Sequence, residues 1–376
     1  MIYLDYASTT PLNQEVLSTY KKLLDKHFAN ADSLHSLGRD VSRLMETSRK
    51  QIAKLLNVYD DEIIFTSCAS EANNYAIKAY ALANQYKGKH IISTNVEHSS
   101  VANTLAQLSG YFGFEITYLQ VNEEGIIDLD TLKKALRKDT ILVSMMYVNN
   151  EVGSINPIYE CAKYVHEHSR AHFHVDCVQA LGKIHIDLNQ IDLASFSAHK
   201  IYGLKGSGIL MKKRNIKMLP LISAGQQEYG LRGGTSNALV DIVLAKTLRL
   251  ALESLDQNYQ YVKQLNQYLR DEISKMNDFV INSPSNASPY ILNVADLKIG
   301  SEVMLNALDA KGFCVSAIST CASRKKAISH VLLAMNKSEL IATHSIRISL
   351  SHLTTLDELK IFIKTLKEIH DGYKSK

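Results

Sequence analysis

No apolar run long enough to cross a membrane occurs in the 376 residues. The opening MIYLDYASTT carries an acid, Asp5, where a secretory leader would carry a basic segment ahead of a long apolar one, so neither a span nor a leader is expected. Cysteine is scarce. The five thiols, Cys68, Cys161, Cys177, Cys314 and Cys321, are odd in number and form no CxxC pair. A disulfide framework and a metal site are therefore not expected, and a reduced, cytoplasmic protein is. An excess of either charge is also missing: 42 Lys and Arg against 38 Asp and Glu leave +4, too even for a nucleic-acid or membrane surface. Internal repeats and low-complexity linkers are absent. No G-x-G-x-x-G follows the first strand-like runs, which argues against a nicotinamide dehydrogenase.

What the chain does have is material for a large core, with 46% hydrophobic residues and a length that suits two domains. Between Glu62 and Lys213 the β-rich runs EIIFTS, HIISTN, FEITYLQV, TILVSMMYV, HFHVD, LASFSAH and GSGILMKK alternate with helical segments. That alternation predicts an α/β layer with a mostly parallel sheet. Past Gly234, apolar residues from Leu244 to Met276 keep three- and four-residue spacing, predicting one long helix that bridges into a second domain. There YILNVA, FCVSA and SIRISLS are strand-like, SEVMLNALDAKG is helical, and a last amphipathic helix begins near Thr355.

Chemistry is concentrated at strand ends. SFSAHKIYG closes an apolar run with Lys200, and the preceding run HFHVDCVQALGK ends in Asp176 with Gln179 just beyond. Ligands of open α/β sheets bind outside the carboxyl ends of strands, so this acid and this lysine are expected to face one cavity. Pyridoxal phosphate needs that pair: a lysine for its Schiff base and an acid for its pyridinium nitrogen. A surface salt bridge and a buried structural pair are the competing readings. A phosphate would sit at a helix N-terminus, which the turn Ser67-Cys68-Ala69-Ser70-Glu71 supplies, although a plain N-cap explains Ser67 or Ser70 equally well. On the cofactor reading Ser197 and His199 are expected to reach the same phosphate, His98 to stack on the ring and Asn150 to bond the ring hydroxyl, while a satisfied structural histidine is the competing reading of His98.

The motifs YLDYASTTP, EIIFTSCASEANN, VEHSSV, NNEVGSINPI, HVDCVQALGK, SFSAHKIYGLKG, GLRGGTSN, STCAS and SIRISLSHLTT run nearly the whole length. Together they resemble the pyridoxal-phosphate-dependent cysteine desulfurases of the NifS/IscS-like group, within the class V aminotransferases. The resemblance implies the fold type I architecture: a large domain over 14–255, and a smaller α/β domain from 1–13 and 256–376 that carries the nucleophilic cysteine loop. It implies that Lys200 holds the cofactor, Asp176 pairs with the pyridinium nitrogen, His98 covers the ring, and Gln179 and Asn150 lie near the ring hydroxyl. Ala69, Ser70, Ser197 and His199 would hold the phosphate, and Thr235 would reach the phosphate of a neighbouring subunit in a homodimer. Arg347 matches the arginine that takes the substrate carboxylate, a task suited to a planar fork, and its competing reading is a surface ion pair.

Cys321 matches the thiol that receives sulfur from L-cysteine, with Arg324, Lys325 and Lys326 nearby to favour the thiolate. Alanine is then the co-product, and the sulfur is passed to acceptor proteins such as an iron–sulfur scaffold or a transfer-RNA thiolation enzyme. A selenocysteine lyase or another class V aminotransferase would share Lys200 and Asp176 without requiring Cys321, and a non-catalytic partner-binding platform would require neither. Departures from the family pattern fall at SCASE, where Cys68 stands for a glycine, at AISTC with Ile318 and Thr320, and at SLSHLTT, which lacks the usual arginine and phenylalanine.

Overall fold

The computed structural model describes residues 1–317 and 328–373. Its strands are β1 (Ile2–Tyr3), β2 (Ile63–Thr66), β3 (His90–Thr94), β4 (Glu115–Leu119), β5 (Thr140–Met146), β6 (His172–Asp176), β7 (Leu193–Ser197), β8 (Gly208–Lys212), β9 (Phe279–Ile281), β10 (Ile291–Asp296), β11 (Phe313–Cys314), β12 (Ser316–Ala317) and β13 (Ser345–Ser349). All seven runs expected between Glu62 and Lys213 are strands of one sheet, in the order β2-β8-β7-β6-β5-β3-β4. β3 to β7 pair in parallel, and only β8 runs against its neighbours β2 and β7.

Burial on both faces explains why these runs are apolar without clean alternation. Along β2, Ile63 and Phe65 enter one core while Ile64 enters another on the opposite face; Ile92 and Ile91 divide in the same way on β3. The winding reverses between β3 and β5, since β4 lies on one side and β5 to β8 extend on the other. Such a reversal leaves a crevice at the strand ends, and the segments carrying His98, Asn150, Gln179 and Lys200 follow β3, β5, β6 and β7 there.

A second, antiparallel sheet has the order β12-β13-β10-β9, with its own core around Leu292, Ile348 and Phe362. The N-terminal segment joins this part of the chain: β1 pairs with β11, and Leu4 is buried in the same core. The last helix, Leu356–Gly372, starts where expected because Thr355 and Glu358 form a capping box.

Two local expectations are corrected, and one strand is added. The single long helix is two, Ala238–Glu253 and Leu255–Ile273, broken at Ser254, whose backbone leaves the helical region (φ −107°, ψ 11°) and whose hydroxyl donates to Leu250 O at 2.9 Å. The break lets Leu244 and Leu248 face the large-sheet core while Val262, Leu265 and Leu269 face the second one. FCVSA divides at Val315, its first half pairing with β1 and its second with β13. Short, half-buried β9 carries too little pattern to be seen in the sequence. Beyond these, Val331, Leu332, Met335 and Ala342 return to pack on the large-sheet core. Among the described residues no helix is long and apolar enough to cross a membrane.

Candidate active site

The strand ends open on one cavity of about 540 Å³, which Ala69, Ser70, His98, Asn150 and Asp176 line together with Gln179, Ser197, His199, Lys200 and Arg347. Asp176 terminates β6 and is buried, its Oδ1 accepting from Val178 N at 3.0 Å and its Oδ2 from Asn73 Nδ2 at 2.8 Å. Lys200 closes the short turn Ala198–Lys200 after β7 and donates from Nζ to the carbonyls of Ala7 and Ser8. The N-terminal segment is thus tied to the large-sheet site by the lysine itself. Gln179 also reaches that segment, donating from Nε2 to Ala7 O at 2.9 Å, while its Oε1 accepts from Lys183 Nζ at 2.6 Å.

His98 is the N-cap of Ser99–Phe112, its Nδ1 accepting from Ser100 N at 3.2 Å. With Nδ1 occupied as an acceptor, the proton of the neutral ring lies on Nε2. Burial draws its pKa below the ordinary value, with Lys200 and His330 acting in the same direction against Asp176.

At the other end of the cavity Ala69 begins Ala69–Asn74, which continues through a π-helical turn to Asn84. The first backbone N–H groups of a helix have no intrahelical partner. Cys68 in place of glycine is accommodated without strain, because its backbone is fully extended (φ −175°, ψ 170°). Glycine is needed instead at Gly208 on β8, where an added Cβ would lie 2.8 Å from the carbonyl carbon of Cys68. The buried Ser197 Oγ has no hydrogen-bond partner. His199 bonds Thr9 Oγ1 at 3.1 Å and is held neutral, burial and then Lys200 drawing its pKa down to about 4. A helix N-terminus at Ala69, the orphaned Ser197 hydroxyl and the glycine approach at Gly208, together with Asp176 and Lys200 on the same cavity, fit pyridoxal phosphate.

Arg347, on β13, crosses from the second sheet. Its Nη1 donates to Asn150 O at 2.9 Å, and its Nη2 donates to Asp5 Oδ1 at 2.9 Å and Ser8 Oγ at 2.7 Å. Its Nε is buried with no partner, a donor left over for an anion. The bland reading is thus half right: Arg347 does have an ion pair, but a largely buried one at the cavity wall.

Several lining groups were not picked out from the sequence. Asn73 links Asp176 to Ser100 Oγ (2.9 Å), which bonds His98 Nδ1 at 2.8 Å. Glu97 is buried, its Oε1 accepting from Thr94 Oγ1 at 2.6 Å and Met146 N at 2.9 Å while Oε2 has no partner. Burial pushes this carboxyl up to about 8. Burial also raises the pKa of Glu151, whose Oε2 accepts from Ser329 Oγ at 2.6 Å. All lie inside motifs quoted above, but a polar residue on a buried helix face or beside a flagged histidine gives no periodic signal. Thr235 does not line this cavity and is exposed. The segment bearing it is anchored by Arg232, which donates to Glu71 Oε1 at 2.9 Å. Cys321, with Ile318, Thr320, Arg324, Lys325 and Lys326, lies outside the described residues. The four described cysteines are unpaired; Cys161 and Cys177 are buried, and Cys68 and Cys314 are half-buried.

The model of the class-V aminotransferases matches residues 2–362. A cysteine desulfurase IscS from Dictyoglomus turgidum is 42% identical over 98% of this chain and 94% of its own length. A NifS/IcsS protein homolog from Lactobacillus delbrueckii subsp. bulgaricus is 42% identical over 99% of this chain and 98% of its own. Among solved structures, a NifS-like protein covers 99% of this chain and all of its own at TM-score 0.93 and 34% identity. SspA in complex with cysteine covers 94% of this chain and 100% of its own at TM-score 0.83 and 32% identity.

Proposed function

The chain belongs to the aminotransferase class-V family, whose members work with pyridoxal phosphate, and we propose that it is a cysteine desulfurase converting L-cysteine and an enzyme thiol into L-alanine and an enzyme persulfide. The observation that carries this reading is one cavity holding Lys200 and Asp176 at the ends of adjacent parallel strands, with the unpartnered Nε of Arg347 on its wall. The cofactor would rest its phosphate on Ala69, Ser70, Ser197 and His199, bond Lys200, and set its ring between His98 and the sheet, with Asp176 at the ring nitrogen and Gln179 and Asn150 at the ring oxygen. Bound there, it serves as an electron sink for the bonds of the substrate α-carbon.

The chain's own groups do the rest. Arg347 binds the substrate carboxylate through its spare N–H edge, fixing which bonds of the α-carbon face the lysine. The Lys200 amine takes the α-proton and returns a proton to the product skeleton. His98, neutral and with its proton on Nε2, is positioned to exchange a proton with the substrate thiol. The Cys321 thiolate attacks the substrate sulfur; the carbon–sulfur bond breaks as the sulfur–sulfur bond forms, and protonation at the former Cβ completes alanine.

The same reading divides the chain into 14–255 and 1–13 with 256–376, supported by the change of core from Leu248 to Val262 across Ser254, with Val331, Leu332, Met335 and Ala342 crossing back to the first core. A homodimer is part of it, supported by the exposure of Thr235 on an anchored segment. Delivery of the sulfur to an iron–sulfur scaffold or a transfer-RNA thiolation enzyme, and a cytoplasmic site of action, complete it; unpaired cysteines suit a reducing compartment. The test is incubation with L-cysteine under reductant: equimolar alanine and sulfide, lost in Lys200→Ala, support the reading, and a stable yellow protein that makes neither defeats it.

A further inference from the structure

Lys183 is buried beside the site, yet the proposed reaction gives it no task. It stands four residues after Gln179 in the turn that follows β6, and its Nζ donates to Gln179 Oε1 at 2.6 Å. The charges acting on it are those of Lys200 and Arg347, both cations, which join burial in drawing its pKa down to about 7. Lys183 also lines a second cavity of about 220 Å³, where Lys200, Tyr6, Tyr202, Tyr290, His352 and Glu15 are the other ionisable groups. The Tyr290 ring lies 5.9 Å from the ammonium. A buried cation without an anionic partner is costly unless an anion arrives.

The contacts of Gln179 indicate where that anion would be. An ammonium can only donate, so it fixes the carboxamide oxygen towards Lys183. The carboxamide nitrogen is thereby fixed on the opposite side, one N–H on Ala7 O and the other left over. We propose that Lys183 is a positioning residue: it clamps Gln179 so that an N–H donor, never the carbonyl oxygen, meets the ring oxygen of the bound cofactor, and its charge favours the anionic form of that oxygen. This inference rests on the reading that Gln179 faces the ring oxygen.

The test is a pH titration of the visible absorption of the resting holoenzyme, with the melting temperature and cofactor retention measured alongside. Removing a nearby cation disfavours the form with more negative charge, so Lys183→Met is expected to raise the titration midpoint by about one pH unit. Lys183→Arg should return it towards wild type, and in a Gln179→Leu background Lys183→Met should still raise the midpoint, but by less, because the charge acts without the amide and the clamp does not. Lys183→Gln, neutral but still a donor, replaces the methionine variant if that fails to fold. A midpoint unmoved in the lysine variants but moved in Gln179→Leu overturns the role of Lys183 and leaves the site reading intact. A midpoint unmoved in Gln179→Leu overturns the placement of Gln179 itself. A loss of melting temperature with no spectral change marks Lys183 as structural only and also overturns the proposal.

Discussion

Asn73 donates its amide nitrogen to Oδ2 of Asp176 at 2.8 Å, and the same nitrogen lies 2.9 Å from Ser100 Oγ, the hydroxyl that bonds His98. One residue on the helix Ala69–Asn74 therefore orients both Asp176, proposed to meet the ring nitrogen, and, through Ser100, His98, proposed to cover the ring.

Replacing Asn73 by leucine should release both. A hydrogen bond to a carboxylate contributes about 1.5–3 kcal/mol, so kcat is expected to fall by about 10- to 100-fold, with a smaller change in KM for L-cysteine. Steady-state kinetics decide it, and an unchanged kcat would remove Asn73 from the account.

Arg347 tests substrate recognition. Lysine keeps the charge but loses the fork, and with it the spare Nε donor and the simultaneous bonds to Asp5, Ser8 and Asn150. Arg347→Lys should raise KM for L-cysteine by about 10-fold or more while the resting absorbance stays as in wild type. An unaltered KM would place the carboxylate elsewhere.

Glu97 gives a pH signature. Its carboxyl is raised from 4.5 to about 8, so between those values the folded protein holds a proton that the unfolded chain has released. The stability this group contributes is full below the ordinary carboxylate value and is lost as pH rises through about 8. Glu97→Gln, which cannot ionise, should gain in melting temperature over wild type as pH is raised, levelling above that point. A difference independent of pH would show that Glu97 is not buried as a neutral acid.

Gly208→Ala tests the phosphate turn. The added Cβ would sit 2.8 to 2.9 Å from backbone atoms of Cys68, so the turn proposed to hold the phosphate must shift. Cofactor affinity is expected to fall about 10-fold or more, measured as absorbance retained after dialysis. Cys68→Gly, by contrast, should retain cofactor, since the extended backbone at Cys68 makes no demand for glycine.

The strands themselves and their polar ends were legible because buried parallel strands leave apolar runs punctuated by functional residues, whereas their order in the sheet was not. Asp176 and Lys200 stood out in that way, as did His98. Asn73 and Glu97 did not, because they depend on partners far along the chain: the bond from Asn73 to Asp176 spans 103 positions. Lys183 did not either, since its partner Gln179 is only four residues away and it is the fold that buries it beside Lys200 and Arg347. The break at Ser254 was hidden for a related reason. The apolar spacing continues across it, and only the two separate cores require the helix to change direction.

The central claim is that Cys321 takes sulfur from L-cysteine. Mass spectrometry of the holoenzyme treated with L-cysteine in the absence of reductant tests it directly, comparing wild type with Cys321→Ser. The account predicts one added sulfur on the wild-type peptide containing Cys321, none on the variant, and an unchanged resting absorbance in both. A variant that still accumulates a persulfide, or still releases alanine and sulfide at the wild-type rate, would contradict it.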